Sequence, residues 1–137
     1  MSEQKRFIDR FTLKPPPQAR AVAEPADTRP PYMAFMAGEE MFTRLHLHRA
    51  DGFVHSISYG YLSHYSFNEV TGDKCLISVG GIMFTIVGAY LHEIFQAIDN
   101  QQCAWVQAYD ATRFAKPIYD YAPFVERIDV QIPLDLA

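Results

Sequence analysis

Apolar and polar side chains alternate along much of the chain. Between positions 44 and 48, two leucines alternate with an arginine and two histidines, which is the period of a β-strand with one buried face. The same pattern predicts strands at residues 43–49, 53–59, 61–67, 75–79, 82–87, 104–109 and 126–132. Turn sequences separate several of them, namely Asp51-Gly52, Thr71-Gly72-Asp73 and Gly80-Gly81.

One stretch has a different period. Leu91, Ile94, Phe95 and Ile98 follow the i, i+3, i+4, i+7 spacing of an amphipathic helix, and polar residues fill the positions between them. The spacing predicts one helix near residues 89–100.

This order of elements predicts a mostly β protein, α+β only in a minor sense. Short strands joined by tight turns favour an antiparallel meander, curled into a small β-barrel or a strongly bent sheet. We expect the amphipathic helix to close one end or to pack on one face.

Residues 1–40 have a different composition from the rest. Six prolines remove backbone donors and favour extended polyproline segments over helix or inner strand. We therefore expect an extended or flexible proline-rich arm at 1–40 and a single β-rich domain at 41–137. Phe7, Ile8 and Phe11 offer apolar anchors with which the arm would contact another surface.

The charge distribution argues against nucleic acid as a partner. Residues 41–137 carry six basic and ten acidic side chains, and no basic stripe is visible. Residues 75–91 carry no charge, but the glycine pair in their middle predicts a hairpin, so we expect no membrane span.

The two cysteines indicate a reduced protein. Cys75 and Cys103 are too few and too far apart for a disulfide framework, and each borders an apolar run, so buried thiols are expected. The first residues are polar and charged and do not resemble a secretory signal. A cytoplasmic location follows as the expectation.

His46 and His48 form the candidate metal site. Side chains at i and i+2 on a strand project to the same side, as a pair of metal-binding imidazoles requires. Glu69 is a possible third ligand, although no spacing selects it. Arg44 lies on the same face, and its charge opposes a divalent ion. We therefore expect neither a metal nor another cofactor.

A cluster of aromatic and basic residues near the C-terminal loop is the candidate partner-binding surface. Aromatic and arginine side chains are enriched in protein interfaces. The alternative is that the loop packs its aromatic rings back on its own domain. The residues concerned are Tyr109, Arg113, Phe114, Tyr119, Tyr121 and Phe124.

Residues 52–110 resemble a pattern found in uncharacterised bacterial small mostly-β domain proteins. The resemblance rests on Tyr59-Gly60-Tyr61-Leu62, Ile86-Val87-Gly88, a leucine-rich helix from Leu91 to Phe95, and Trp105-Val106. It supports the fold prediction and implies no activity.

The sequence contains no catalytic or cofactor motif such as a nucleophile elbow or a phosphate-binding loop. It favours a non-catalytic protein-interaction or assembly module that self-associates or binds a protein partner. The alternative is a small-molecule or metal-binding β-barrel protein that uses the strand face of His46 and His48.

Overall fold

The computed structural model describes residues 27–117 and 120–133. These ranges contain eight strands, one α-helix and a 3₁₀ turn. Their bounds are β1 Phe35–Ala37, β2 Arg44–His48, β3 Val54–Ser58, the 3₁₀ turn Tyr59–Tyr61, β4 Leu62–Phe67, β5 Lys74–Val79, β6 Ile82–Ala89, α1 His92–Asp99, β7 Cys103–Gln107 and β8 Phe124–Gln131. The prediction of a mostly β fold with one amphipathic helix is confirmed for the described residues.

The first sheet has the strand order β1-β7-β2-β3. β2 and β3 form the predicted hairpin, but β7 lies between β1 and β2 and runs parallel to β2. A purely antiparallel meander is therefore the wrong topology for this sheet. Alternation within a strand indicates which face is buried, whereas the partner of β7 depends on how the helix and both sheets pack together.

The second sheet is antiparallel throughout, with the order β4-β5-β6-β8. Gly80 and Gly81 join β5 to β6 with φ angles of 55° and 88°, which favour glycine, and the hairpin predicted there is confirmed. β8 pairs with the other edge of β6, and the register shifts between Val87 and Gly88.

The strands do not form a closed barrel among the described residues. β3 and β4 are consecutive in the chain but belong to different sheets, because the 3₁₀ turn redirects the chain between them. Tyr59 fixes this turn, since its ring is buried and its hydroxyl donates to the Cys103 carbonyl at 2.6 Å.

The core lies between the two sheets and the helix. Leu45 and Leu47 come from the first sheet, Ile77 and Ile86 from the second, and all four are fully buried. Helix α1 adds one apolar side to this core, with Ile94 and Ile98, and Leu91 lies buried just before it.

The helix begins later than the sequence predicts. Tyr90 has a φ of 55°, in the left-handed region, so the backbone turns sharply there before the first helical residue, His92. The observed helix spans eight residues within the predicted twelve.

The described part of the proline-rich segment is packed on the domain. β1 pairs with β7, and Ala34 is buried in the core. Pro31 forms a bridge with Ala115. The packed part of the described chain thus includes residues before 41. Phe7, Ile8 and Phe11 lie outside the described residues.

Among the described residues, no helix is long and apolar enough to cross a bilayer. The uncharged stretch 75–91 forms β5, the glycine turn and β6, so its apolar side chains belong to the sheet. Both cysteines are free and buried, and burial raises the pKa of each thiol to about 12.

Candidate functional site

β3 is an edge strand whose outer backbone groups have no strand partner among the described residues. The amide of Arg49 donates to the Phe53 carbonyl at 2.9 Å, and the amide of Tyr59 donates to the Thr43 carbonyl at 3.0 Å. Hydrogen-bonded pairs alternate with non-bonded pairs in an antiparallel ladder. The alternate residues of β3 therefore direct their N–H and C=O groups away from β2, and these are Val54, Ser56 and Ser58.

A groove of about 420 Å³ runs along this free edge. The second sheet provides its floor, with Val79, Ile82 and Phe84, and Tyr61 borders one end. We call it the edge groove; its remaining lining residues are Arg44 and the five residues of β3.

The path of β3 explains why the edge groove exists. The β2–β3 hairpin tip lies near Arg127 of β8, and the His55 ring meets the Phe84 ring of β6 with centroids 5.1 Å apart. Leu62, just after the 3₁₀ turn, pairs with Val79 of β5. β3 thus crosses the inner face of the second sheet from β8 towards β5, and the end of the sheet extends beyond it.

Two apolar side chains are left half-covered there. Ile77 and Phe84 form an inward-facing buried pair, and Val79 and Ile82 form the next pair on the same face. Val79 and Ile82 are only partly buried, although they face the core side. An unpaired strand edge beside uncovered core-facing side chains is the geometry that accepts an added strand.

Arg44 stands over the outer side of this edge. Its Nε donates to the Ser56 hydroxyl at 2.7 Å, and one terminal nitrogen reaches the Ser56 carbonyl at 3.3 Å. No carboxylate of the described chain forms an ion pair with it. Arg44 therefore shields one edge acceptor and also offers an unneutralised cation to whatever lies along β3.

His55 contributes an uncharged group to the edge groove. Its Nε2 is buried and has no hydrogen-bond partner among the described residues. Partial burial, followed by the nearby Arg49 charge, lowers the pKa of His55. The imidazole is consequently neutral at neutral pH, which suits an apolar floor.

His46 and His48 lie on the outer face of the first sheet, as the alternation predicts. Trp105 is paired with His46, and its ring meets that of His48 with centroids 6.2 Å apart. The Ser56 hydroxyl lies 3.3 Å from His46 Nε2. Partial burial, then the neighbouring His46 and Arg113, lower the pKa of His48.

The geometry supplies no third ligand for this pair. Within residues 27–117 and 120–133, no three His, Cys, Asp or Glu side chains come together as a metal-binding group. Glu69 lies on another part of the molecule, in a hollow of about 310 Å³ beside His92 and Phe95. A metal site at His46 and His48 stays an untested alternative.

We expect protein purified without an affinity tag to contain no stoichiometric transition metal, because Arg44 and Ser56 occupy the surroundings of His46. Elemental analysis of the purified chain measures this directly. About one zinc, copper or nickel ion per chain, lost in His46→Ala, would contradict the expectation.

The structure places some residues of the candidate partner-binding surface in the packed domain and others at the exposed surface. The rings of Tyr109, Phe114 and Phe124 each lie within 5.6 Å of the Tyr32 ring, centroid to centroid. These three rings pack around Tyr32, a ring from the proline-rich segment, which is the arrangement that the alternative of a loop packed on its own domain describes.

The other members of that cluster lie at the surface. Arg113 is exposed and stacks over the Phe114 ring at 5.0 Å. Tyr121 is 79% exposed and meets the Tyr90 ring with centroids 5.5 Å apart. Tyr119 lies outside the described residues.

The residues of the edge groove were not among the predicted site residues. The sequence contains one feature of this edge: Val54 is apolar, whereas the next residues on the same strand face, Ser56 and Ser58, are polar. Val54 is 49% exposed. A single exposed apolar side chain is common on protein surfaces, so this residue alone does not identify the edge groove.

Comparison of the chain with protein-family models, with curated proteins and with solved structures finds no match. The resemblance of residues 52–110 to uncharacterised bacterial proteins therefore has no family model behind it.

Proposed function

We propose that this domain is a non-catalytic protein-interaction module that binds an extended segment of a partner along β3. The observation that carries the proposal is the free edge of β3 beside the uncovered side chains of Val79 and Ile82. A bound strand would pair with three successive outward-facing residues of β3 and cover both side chains.

The two faces of β3 define the chemistry of the bound segment. Ser56 points outward and Ile57 inward, so the partner residue opposite Ser56 also points outward, towards Arg44. Its two neighbours point into the edge groove, over Ile82 and Phe84. The preferred segment therefore has an acidic residue between two aliphatic ones.

A second copy of β3 fits this edge poorly. An antiparallel pairing of two β3 strands centred on Ser56 would bring the two Arg44 guanidinium groups to the same place. Like charges across a strand pair are destabilising. The bound strand is therefore a different sequence, and any oligomer forms through another surface.

The lining of the edge groove supports binding over catalysis. The Ser56 hydroxyl is held by Arg44, and the His55 imidazole is turned against Phe84 with no hydrogen bond to a serine. The Ser56 hydroxyl also lies 3.3 Å from His46 Nε2, but His46 does not line the edge groove, and no carboxylate of the described residues is hydrogen-bonded to that imidazole, as acyl transfer would need. The free thiols of Cys75 and Cys103 support a reducing, cytoplasmic setting for this module.

The test is binding of a blocked octapeptide with the sequence Gly-Thr-Leu-Asp-Leu-Thr-Lys-Gly, followed by amide chemical shifts and calorimetry. Ser56→Pro removes an outward N–H that β2 does not use, so we expect the strand to form and affinity to fall at least about tenfold. Ser56→Ala is the matched control and should stay within about threefold, since it keeps the N–H.

Ile82→Ser tests the floor independently of the backbone. It should weaken the peptide by about tenfold, because a half-covered aliphatic contact is lost. A peptide with lysine in place of aspartate should bind the native chain more weakly, and Arg44→Glu should reverse that order. Equal binding of the peptide by all variants, or no binding by the native chain, would refute the proposal.

A further inference from the structure

A second hollow lies between helix α1 and the end of β4. It measures about 310 Å³ and shares no lining residue with the edge groove. The helix contributes residues at i, i+3, i+4 and i+7, which lie along one side of its surface, so the hollow follows the helix for about 10 Å. We call it the helix groove; its lining residues are Phe67, Glu69, His92, Phe95, Gln96 and Asp99.

Aromatic rings form the middle of the helix groove. The Phe67 and Phe95 rings are stacked, with centroids 5.0 Å apart and planes inclined by 16°. Phe95 also meets the Tyr65 ring, with centroids 5.8 Å apart, and Phe67 meets the His92 ring at 5.1 Å. Both phenylalanines are only partly buried, although they pack on the core. Their exposed surface can therefore be covered by methylene groups or by a cation.

A carboxylate stands at each end of these rings. Asp99 is the last residue of α1, and its Oδ1 accepts a hydrogen bond from the Tyr65 hydroxyl at 2.8 Å. Glu69 follows Phe67 by two residues and lies at the other end, where His92 begins the helix. Neither Glu69 nor Asp99 forms an ion pair within the part of the chain that the structure describes. The helix groove thus has an apolar middle and a negative charge at both ends.

Asp99 occupies the end of the helix that disfavours a negative charge. The C-terminal end of a helix carries a partial negative charge, which repels a carboxylate. The last turn of α1 contains no basic residue that would offset this repulsion. Glu93, in contrast, lies in the first turn, where a carboxylate is favourable. A cation bound beside Asp99 would remove the repulsion, so this end of the helix groove attracts positive charge.

We propose that the helix groove binds a linear aliphatic polyamine, of the class to which spermidine belongs. Its two terminal ammonium groups bind Glu69 and Asp99. The methylene groups between them cover the rings of Phe67 and Phe95. The amide oxygen of Gln96, in the same stripe of the helix, accepts a hydrogen bond from the middle ammonium.

The length of the helix groove selects the length of the ligand. Spermidine separates its terminal nitrogens by nine single bonds, as many as three residues of extended chain contain, which is about 10 Å. The helix stripe from His92 to Asp99 has about the same length. A lysine side chain carries a single ammonium and would neutralise only one of the two carboxylates. Because the two grooves share no residue, this site is independent of strand addition along β3.

Calorimetric titration of the full-length chain with spermidine at physiological salt measures the affinity, and we expect one saturable site per chain. Asp99→Asn and Glu69→Gln should each weaken binding by about threefold to fivefold, because each removes one charge contact. Glu93→Gln is the matched control. It removes the same charge from an exposed position of α1 outside the groove, and should change the affinity by less than about 1.5-fold.

Two diamines of equal charge test the spacing on the native chain, with no substitution that could disturb folding. The nitrogens of 1,8-diaminooctane are separated by the same nine bonds as those of spermidine, whereas putrescine has five. Only the longer diamine reaches both carboxylates, so it should bind at least about fivefold more tightly. Octylamine, which has the same methylene chain and one ammonium, should bind no more tightly than putrescine. Phe67→Leu should weaken 1,8-diaminooctane by about threefold, since an aromatic face is lost.

The outcomes separate a built site from a general attraction of cations to an acidic chain. Equal losses of affinity in Glu93→Gln and in the two groove variants would overturn the site. Equal affinities of the two diamines, or no saturable binding of spermidine, would also overturn it. A blocked peptide with a single lysine that binds as tightly as spermidine would place a lysine side chain in the helix groove and overturn the polyamine. Binding of the octapeptide along β3 is expected to be the same in the Asp99→Asn and native chains.

Discussion

Replacing Gly88 by alanine is expected to destabilise the domain by about 3 kcal/mol or more, or to prevent folding. A Cβ at this position would overlap the Phe124 carbonyl oxygen and lie 2.9 Å from its carbonyl carbon and 3.0 Å from Val125 Cα. These are backbone atoms of β8, so no side-chain rotation relieves the contact. Either β8 separates from β6 or the register shift between Val87 and Gly88 is lost.

The matched control is Gly60→Ala. Its added methyl group would have the Ser58 hydroxyl at 3.7 Å as its nearest neighbour, which is an ordinary contact. Urea unfolding followed by circular dichroism should give a stability near that of the native chain for Gly60→Ala and a large loss for Gly88→Ala. Similar stabilities for the two variants would show that β6 and β8 do not approach as closely as described.

The close approach of β8 to Gly88 could not be predicted from sequence periodicity. The alternation of residues 82–87 predicts a strand and its buried face, and β6 and its pairing with β5 follow from the glycine turn. The approach of β8 to β6 joins residues about 40 positions apart, and no local signal identifies that partner. Glycine at a strand end is compatible with a bend, a bulge or a close approach.

The strand partners of β7 could not be predicted from local sequence either. Its alternating residues correctly predict an extended segment around Trp105, but not that it runs parallel to β2 between β1 and β2. Parallel pairing requires a crossover, and helix α1 is part of it. The helix was visible in the sequence, yet the sheet to which it returns the chain depends on how the whole core packs.

The candidate site was the least predictable part. His46 and His48 are easily singled out in the sequence because imidazoles are common metal ligands, and both lie on β2 of the first sheet. The edge groove, in contrast, is built from common residues such as Ile82 and Val79. Its significance arises only because β3 crosses the second sheet short of its end, which is a property of two sheets together.

Tyr32 was assigned to the arm from composition, although it holds the two sheets together. Its hydroxyl donates to the Gln107 carbonyl at 2.7 Å and accepts from the Val125 amide at 3.0 Å, and so connects β7 to β8. The surrounding aromatic rings cover the phenol, and burial raises the pKa of Tyr32 above its ordinary value. This role of Tyr32 could not be predicted from the sequence. The prolines of the segment indicate its backbone conformation, but they do not indicate where the Tyr32 ring packs.

Replacing Tyr32 by alanine is expected to lower the free energy of unfolding by about 3 to 5 kcal/mol, since it removes a packed ring and both hydrogen bonds. Tyr32→Phe keeps the ring but leaves the Val125 amide without this acceptor, and about 1 to 3 kcal/mol is expected. Met33→Ala, at a neighbouring side chain that is 58% exposed, should change stability by less than about 0.5 kcal/mol. A loss for Tyr32→Ala no larger than that of Met33→Ala would show that this segment is not part of the packed domain.

The pH dependence of stability distinguishes the phenol from the ring. The folded state holds the Tyr32 proton more tightly than the unfolded chain, because burial raises the pKa of Tyr32 in the folded state. Its contribution is therefore fully present below about pH 10, the ordinary value for tyrosine, and is lost as the pH rises above it. Burial also raises the pKa of Tyr59, Cys75 and Cys103, so the native chain should lose stability in alkali through these groups as well. For Tyr32→Phe, the free energy of unfolding measured with urea should decline less steeply between pH 10 and 11, while the Tyr59 contribution remains. An identical slope in both proteins would contradict the buried phenol at position 32.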